Sequence, residues 1–145
     1  MAALSNYLEN QIIDWIMRGQ SYSPPANLYI ALYTTAPTAA GGGVEVSGGS
    51  YARVAVASNL ANWAGTQGTA TTTASTGTSG LTSNNSALTY PTPTAAWGTL
   101  VAFGVFDAST GGNMLFFAGL TTAKTINNGD SPPIFQSAQL TFSLS

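Results

Sequence analysis

Five carboxylates, Glu9, Asp14, Glu45, Asp107 and Asp130, are the chain's whole supply of side-chain acids. A pair of them held on either side of a glycosidic bond could hydrolyse it, one as acid and the other as base or nucleophile. No local spacing builds such a pair. Glu9 and Asp14 share a predicted helix but point in different directions. Asp107 and Asp130 each fall in a turn, where a short carboxylate ordinarily accepts nearby backbone N–H groups. The chain has no histidine and no cysteine, which excludes imidazole bases, Ser-His-Asp triads, thiol nucleophiles, disulfides and His- or Cys-ligated metals. The glycines at 41–43 and 48–49 lack a Gly-Lys-Ser/Thr step and open no helix, so they cannot cradle phosphate. Residues 127–130 lack the alternating oxygen ligands and closing glutamate of a calcium loop. The sequence therefore assigns no catalytic residue, no cofactor and no metal ligand.

Charge is the other chemical resource, and it is scarce. Charged residues make up 6% of the chain, against about 25% in an ordinary domain. Only three are cations, Arg18, Arg53 and Lys124, so the counterion release that drives nucleic-acid binding has almost nothing to act on, and no nucleic-acid partner is expected. No stretch approaches the roughly 20 apolar residues that span a bilayer, and no basic-then-apolar leader opens the sequence, so neither a membrane span nor a signal peptide is expected. Yet 44% of the residues are hydrophobic, with three Trp, six Tyr and six Phe. A chain of this composition folds, and 145 residues suffice for one core that buries about 70% of the unfolded surface. One domain over 1–145 is expected, with a helix at about 5–18 and a β portion at about 27–145.

The elements follow from hydrophobic period. Leu8, Ile12, Trp15 and Ile16 recur at helical spacing. Asn6 with Glu9 reads as an N-cap and its capping-box partner, Leu4 as a staple, and Arg18-Gly19 as the stop. This helix is read first as core-packing, with an arm docking on another subunit as the alternative. After Pro24 and Pro25 the period becomes two: Leu28, Ile30 and Leu32 alternate with Tyr29, Ala31 and Tyr33, as do Val54 and Val56 within 52–58, and Leu140, Phe142 and Leu144 at the end. The continuous apolar runs at 98–106 and 114–120 predict strands covered on both faces, joined by a turn at 107–113. About seven short strands behind one helix predict a mainly β protein, an antiparallel β-sandwich or a jelly-roll-like barrel. Two segments fall outside this plan: the Gly-rich loop at 36–50, and the uncharged stretch 65–86, expected to be a long excursion or β-arm.

Sheet edges are normally guarded by lysine, inward charges or covering elements, and the candidate strands carry almost no lysine. A neutral Ser/Thr/Asn/Ala surface loses little side-chain entropy or charge solvation on burial against a neighbour. That composition suits an assembly subunit. Candidate interface residues are Tyr29, Tyr33, Glu45, Tyr51, Arg53, Trp63, Leu81 and Trp97, the aromatics divided between core and contact surface. The loops at 36–50 and 65–86 are expected to reach neighbours. Stacking of the aromatics on sugar rings is an alternative use.

The segments Leu4-Ser5-Asn6-Tyr7-Leu8-Glu9-Asn10, Leu28-Tyr29-Ile30-Ala31-Leu32-Tyr33-Thr34-Thr35-Ala36-Pro37, Gly49-Ser50-Tyr51-Ala52-Arg53, Asn62-Trp63, Trp97-Gly98 and Phe103-Gly104-Val105-Phe106-Asp107 together resemble a family of small virion proteins of tailed bacteriophages. Its members are labelled tail fibre protein or structural protein, and similar small β-rich proteins act as capsid decoration or cement. Residues 65–86 have no counterpart in the resemblance. It implies a non-enzymatic virion protein, made in the bacterial cytoplasm, whose partners are the major capsid protein or other virion subunits. A homo-oligomer is expected, a trimer being suited to three-fold positions. Neither heptads nor shaft repeats appear, so capsid cement bridging neighbouring capsomers heads the reading. A tail fibre, baseplate or tail-tip component comes second, and a host-glycan-binding module third.

Overall fold

The computed structural model describes residues 2–144. In chain order the elements are β1 (Ala3–Leu4), α1 (Asn6–Met17), β2 (Asn27–Thr35), β3 (Val44–Glu45), β4 (Val54–Ala57), β5 (Leu81–Ser83), β6 (Leu88–Thr89), β7 (Gly98–Phe106), β8 (Met114–Ile126), β9 (Ile134–Phe135) and β10 (Thr141–Ser143). Six strands form an antiparallel sheet in the order β1-β8-β7-β2-β3. Strand β4 also pairs with β2, over Asn27 to Ile30, on the edge that β3 takes up at Tyr33 and Thr35. The sheet does not close on itself. The short ribbons β5–β10 and β6–β9 pack over one face, so the protein is a sandwich and not a barrel.

Alternation places Ile30 and Leu32 of β2, with Phe103 and Val105 of β7, on the face beneath the ribbons, and Leu100 joins them across a break in phase at Val101 and Ala102. Phe142 closes this core from β10, its ring 5.2 Å from Phe116, 5.7 Å from Trp63 and 6.0 Å from Phe103, centroid to centroid. The opposite face carries Ala31, Tyr33, Ala102, Phe106 and Met114, all buried. Strand β7 is thus covered on both sides, as its unbroken apolar run predicts, and so is β2, where both halves of the alternation are apolar or small. Strand β8, predicted to be covered likewise, is buried at Met114, Leu115 and Ile126 and is half-buried or exposed between them. Gly104 lies in β7 opposite Ala31. A Cβ there would come within 3.1 Å of the Tyr33 ring, so the glycine is what lets that ring lie flat on the sheet.

Three expectations need correction. The N-cap is Ser5, not Asn6: the Ser5 hydroxyl accepts the Leu8 N–H at 3.2 Å and donates to the Met114 carbonyl. Ser5 is buried where Asn6 is exposed, so one hydroxyl both caps the helix and ties it to β8. Helix α1 is also not a core-packing helix. Only Leu8 is buried, while Ile13, Trp15, Ile16 and Met17 are 52–78% exposed. The helix hangs from the end of the sheet, reaching it by its first turns alone. Finally, β8 runs beyond the expected 114–120 and forms most of one sheet edge, since β1 covers only Phe116 and Phe117.

That edge is guarded after all. Between the pairs Ala102–Gly119 and Leu100–Lys124, residues 120–123 of β8 bulge out against the single residue Val101. Lys124, the chain's one lysine, stands exposed beside the bulge.

Residues 65–80 are an excursion closed on itself. Gln67 accepts the Thr76 N–H at 3.1 Å and donates to the Thr73 hydroxyl at 3.0 Å, and Thr71 and Ser79 bind the carbonyls of Gly68 and Thr66. The excursion leads directly into β5.

Candidate functional site

On the Tyr33 face, the start of α1, the 39–43 loop and the turn after β7 enclose a cleft of about 560 Å³. Its floor is Tyr33, Phe106 and Met114, and Arg53 and Glu45 line one wall. Each wall has a local cause. Gly41, Gly42 and Gly43 all have φ between 75 and 95°, a left-handed run open to glycine alone without strain. It turns the chain back so that Glu45 can pair with Tyr33 as β3. The β7–β8 turn is held by Asp107, whose carboxylate accepts the Asn113 N–H at 2.7 Å and its side-chain amide at 2.9 Å.

Arg53 ties these parts together. Its Nε and Nη2 donate to the two Glu45 oxygens at 2.8 Å each, and Nη1 donates at 2.9 Å to the carbonyls of both Ala108 and Gly111. Four of the five guanidinium donors are used. The side chain is 6% exposed, and its guanidinium lies 3.8 Å from the Phe106 ring centroid. Burial works to lower the Arg53 pKa, but the Glu45 bonds and charge more than offset it and hold it above the usual value. The Tyr51 hydroxyl donates to Glu45 at 3.0 Å and accepts the Leu32 N–H at 2.9 Å. Burial pushes that hydroxyl well above the ordinary tyrosine range; the Leu32 bond opposes the rise and the Glu45 charge adds to it.

In this arrangement the carboxylates hold backbone and counter-charges in place. Glu45 is engaged by Arg53 and Tyr51, Asp107 by Asn113, Asp130 by the Asn127 N–H, and Asp14 by Arg18. Among the described residues no group of acidic side chains is placed to hold a metal ion.

The candidate interface residues are distributed as follows. Tyr33, Glu45 and Arg53 line the cleft, Tyr51 reaches Glu45 from the opposite core, and Tyr29 is half-buried on the Tyr33 face. Trp97 is buried in the other core, its Nε1 donating to the Gly49 carbonyl at 2.9 Å. Trp63 is half-buried against Phe142. Leu81 alone of the eight is exposed, and it lies apart on β5. Sequence reasoning passed over Ile13 and Met17. They fall outside the Leu8–Ile12–Trp15–Ile16 stripe, and apolar residues off the main stripe of a short helix signal a second contact face.

Among the described residues no helix is long and apolar enough to cross a membrane. No curated protein sequence matches the chain. A family model described as Podophage GP4 fiber I protein gp80 matches residues 3–143, a span that takes in α1 and every strand of the sandwich. Spanning nearly the whole sequence, that match assigns the chain to the family, and so to the structural proteins of the tailed-phage virion.

Proposed function

We propose that the protein is a non-enzymatic subunit of the phage tail-fibre apparatus, assembled in the host cytoplasm and held in the virion by noncovalent contacts. The observation that carries this is the family match over residues 3–143, whose description is a fibre protein. It favours the tail over the capsid-cement role that composition and compactness put first. The lack of shaft repeats is compatible with the tail if this domain is a compact joint or tip and other chains supply fibre length.

The structure supports a binding role through what its polar groups do. The carboxylates of the cleft region hold turns and strands in place, and Tyr33 and Trp97 are buried. Tyr33 and Trp97 therefore offer no exposed platform for stacking sugars. Attachment through apolar and hydrogen-bonded surfaces would resist salt.

Copy number per purified particle tests the proposal. A small multiple of about three or six is expected from tail symmetry, whereas hundreds of copies would place the protein on the shell. The protein should stay with tails through a high-salt wash. Turnover of a glycan or peptide by the pure chain would overturn the non-enzymatic part.

A further inference from the structure

We infer that copies of this chain bind one another head to tail, helix α1 of one seated in the apolar groove beside strand β8 of the next. The inference deepens the assembly reading above and rests on it.

The helix supplies the head. Glu9, Ile13 and Ile16 follow at spacings of four and three residues and so lie on one outward face, with Met17 at its flank. The three apolar side chains are 52, 63 and 78% exposed and, with Trp15 at 56%, make the helix's second half the densest run of exposed large apolar residues among the described residues. Among the described residues they are left uncovered, because α1 meets the sheet near Ser5, Leu8 and the start of β8.

The groove supplies the tail. It holds about 520 Å³ between β8 and β9, floored by Leu100 and Phe103 and rimmed by Leu120, Ile134 and Phe135. Ile134 is 44% exposed. The bulge at 120–123 that blocks strand addition along this edge also raises the groove's wall, so the opening suits an apolar helix face better than another strand.

Charge selects the partner. Asp14 pairs with Arg18 and Glu45 with Arg53, and Asp107 and Asp130 close their own turns. Among the described residues, Glu9 and Lys124 are the charged side chains left over. Glu9 lies on the outward face of α1, and Lys124 lies on the groove rim. Within one subunit they are kept apart: β7 pairs Leu100 with Lys124 and Phe106 with Met114, which sets Lys124 roughly 20 Å along the sheet from the end where the helix attaches. Between two copies, a helix laid in the groove brings these opposite charges to the same rim. The interface is heterologous, so each copy both gives a helix and receives one, and the chain of contacts closes into a ring when the rotation allows.

Sedimentation of the full-length protein across a concentration series tests this, with Ile16→Glu as the head variant and Ile134→Glu as the tail variant. Both positions are exposed, and circular dichroism and melting should match the parent protein. Each variant alone should lose self-association by at least about tenfold. Mixed together, they should form a one-to-one dimer and nothing larger, because one intact groove then meets one intact helix. Glu9→Lys and Lys124→Glu should each weaken association by about two- to fivefold, and the double reversal should restore it. A parent protein that stays monomeric at the highest concentration, an Ile134→Glu variant that associates normally, or a mixture that fails to pair would overturn the inference. A monomeric protein still found in tails would sink the head-to-tail contact and leave the tail assignment standing. Absence from virions would do the reverse.

Discussion

The Tyr51 hydroxyl accepts the backbone N–H of Leu32 at 2.9 Å, at the point on β2 where pairing passes from β4, which ends opposite Ile30, to β3, which begins opposite Tyr33. A side chain thus replaces a missing strand partner. The Val46 N–H covers the Leu32 carbonyl from the same side at 3.0 Å, so both polar groups of a buried residue are satisfied. Tyr51→Phe keeps the ring against Trp97 and Tyr90 but orphans the Leu32 N–H and removes a donor from Glu45. A loss of about 2 kcal/mol is expected in urea unfolding, with faster exchange of the Leu32 amide than of its neighbours. A change below about 0.5 kcal/mol would show the hydroxyl to be dispensable.

Alkaline pH should unfold the protein earlier than tyrosine content alone would suggest. Burial raises the pKa values of Tyr51 and Tyr90, and of Tyr33 and Tyr22 to a lesser degree of burial. Above about pH 10 the unfolded chain releases these protons and the folded chain retains them. The unfolded state then binds fewer protons, so stability falls as pH rises. The contribution is intact below that pH and is lost progressively above it. Melting temperature should be flat near neutrality and drop steeply beyond about pH 10, with tyrosinate absorbance appearing together with unfolding. Full tyrosine ionisation in a still-folded protein would contradict the burial.

Arg53 cannot be replaced by lysine. A lysine keeps the charge but cannot fork a carboxylate and also reach two turn carbonyls, nor lie flat over Phe106 as guanidinium does. Arg53→Lys is expected to cost about 2 kcal/mol and Arg53→Met about 3 kcal/mol, with Glu45 then left without its counter-charge. The double variant Arg53→Met with Glu45→Leu should recover part of that loss, since no lone carboxylate remains, but not all of it, because the Ala108 and Gly111 carbonyls stay unpaired. Chemical denaturation of the parent protein, Arg53→Met, Glu45→Leu and the double variant measures the coupling, and simple additivity would show that the Arg53–Glu45 fork contributes nothing.

The long elements were legible because their residues carry the signal themselves. β7 has the predicted bounds, and the two-sided cover of β2 follows from an alternation in which both halves are apolar or small. The two-residue strands β1, β3, β6 and β9 were not legible, since so short a segment has no period; β3 lies inside what reads as a glycine loop and exists only because Tyr33 and Thr35 are there to pair with it. Among the candidate residues, Glu45, Tyr51 and Arg53 were singled out in the sequence and do meet. Their partners Leu32, Ala108 and Gly111 engage through backbone groups, which no side-chain pattern reports. The helix misled for a related reason: amphipathic spacing shows that a face wants burial, and only the tertiary structure shows that the sheet ends too soon to provide it.

The two glycines at positions 42 and 43 separate backbone strain from steric collision. Both have nearly the same left-handed φ, 77 and 75°. A Cβ on Gly42 would meet nothing within 4 Å, whereas one on Gly43 would sit 2.5 Å from the Thr35 carbonyl oxygen and 2.8 Å from the Pro37 nitrogen. Those are backbone atoms at the end of β2 and cannot swing aside. Gly42→Ala therefore carries only the conformational penalty, about 1 kcal/mol. Gly43→Ala adds a displacement of the chain entering β3, which moves Glu45 off Arg53 and Tyr51, and should cost more than about 3 kcal/mol. The two variants should differ in a second way: with Gly43→Ala the Leu32 amide loses its slow exchange along with global stability, and with Gly42→Ala it does not. Equal destabilisation by both would mean that the 39–43 loop is free to shift, and that the wall it lends the cleft is not fixed by the approach of Gly43 to Thr35.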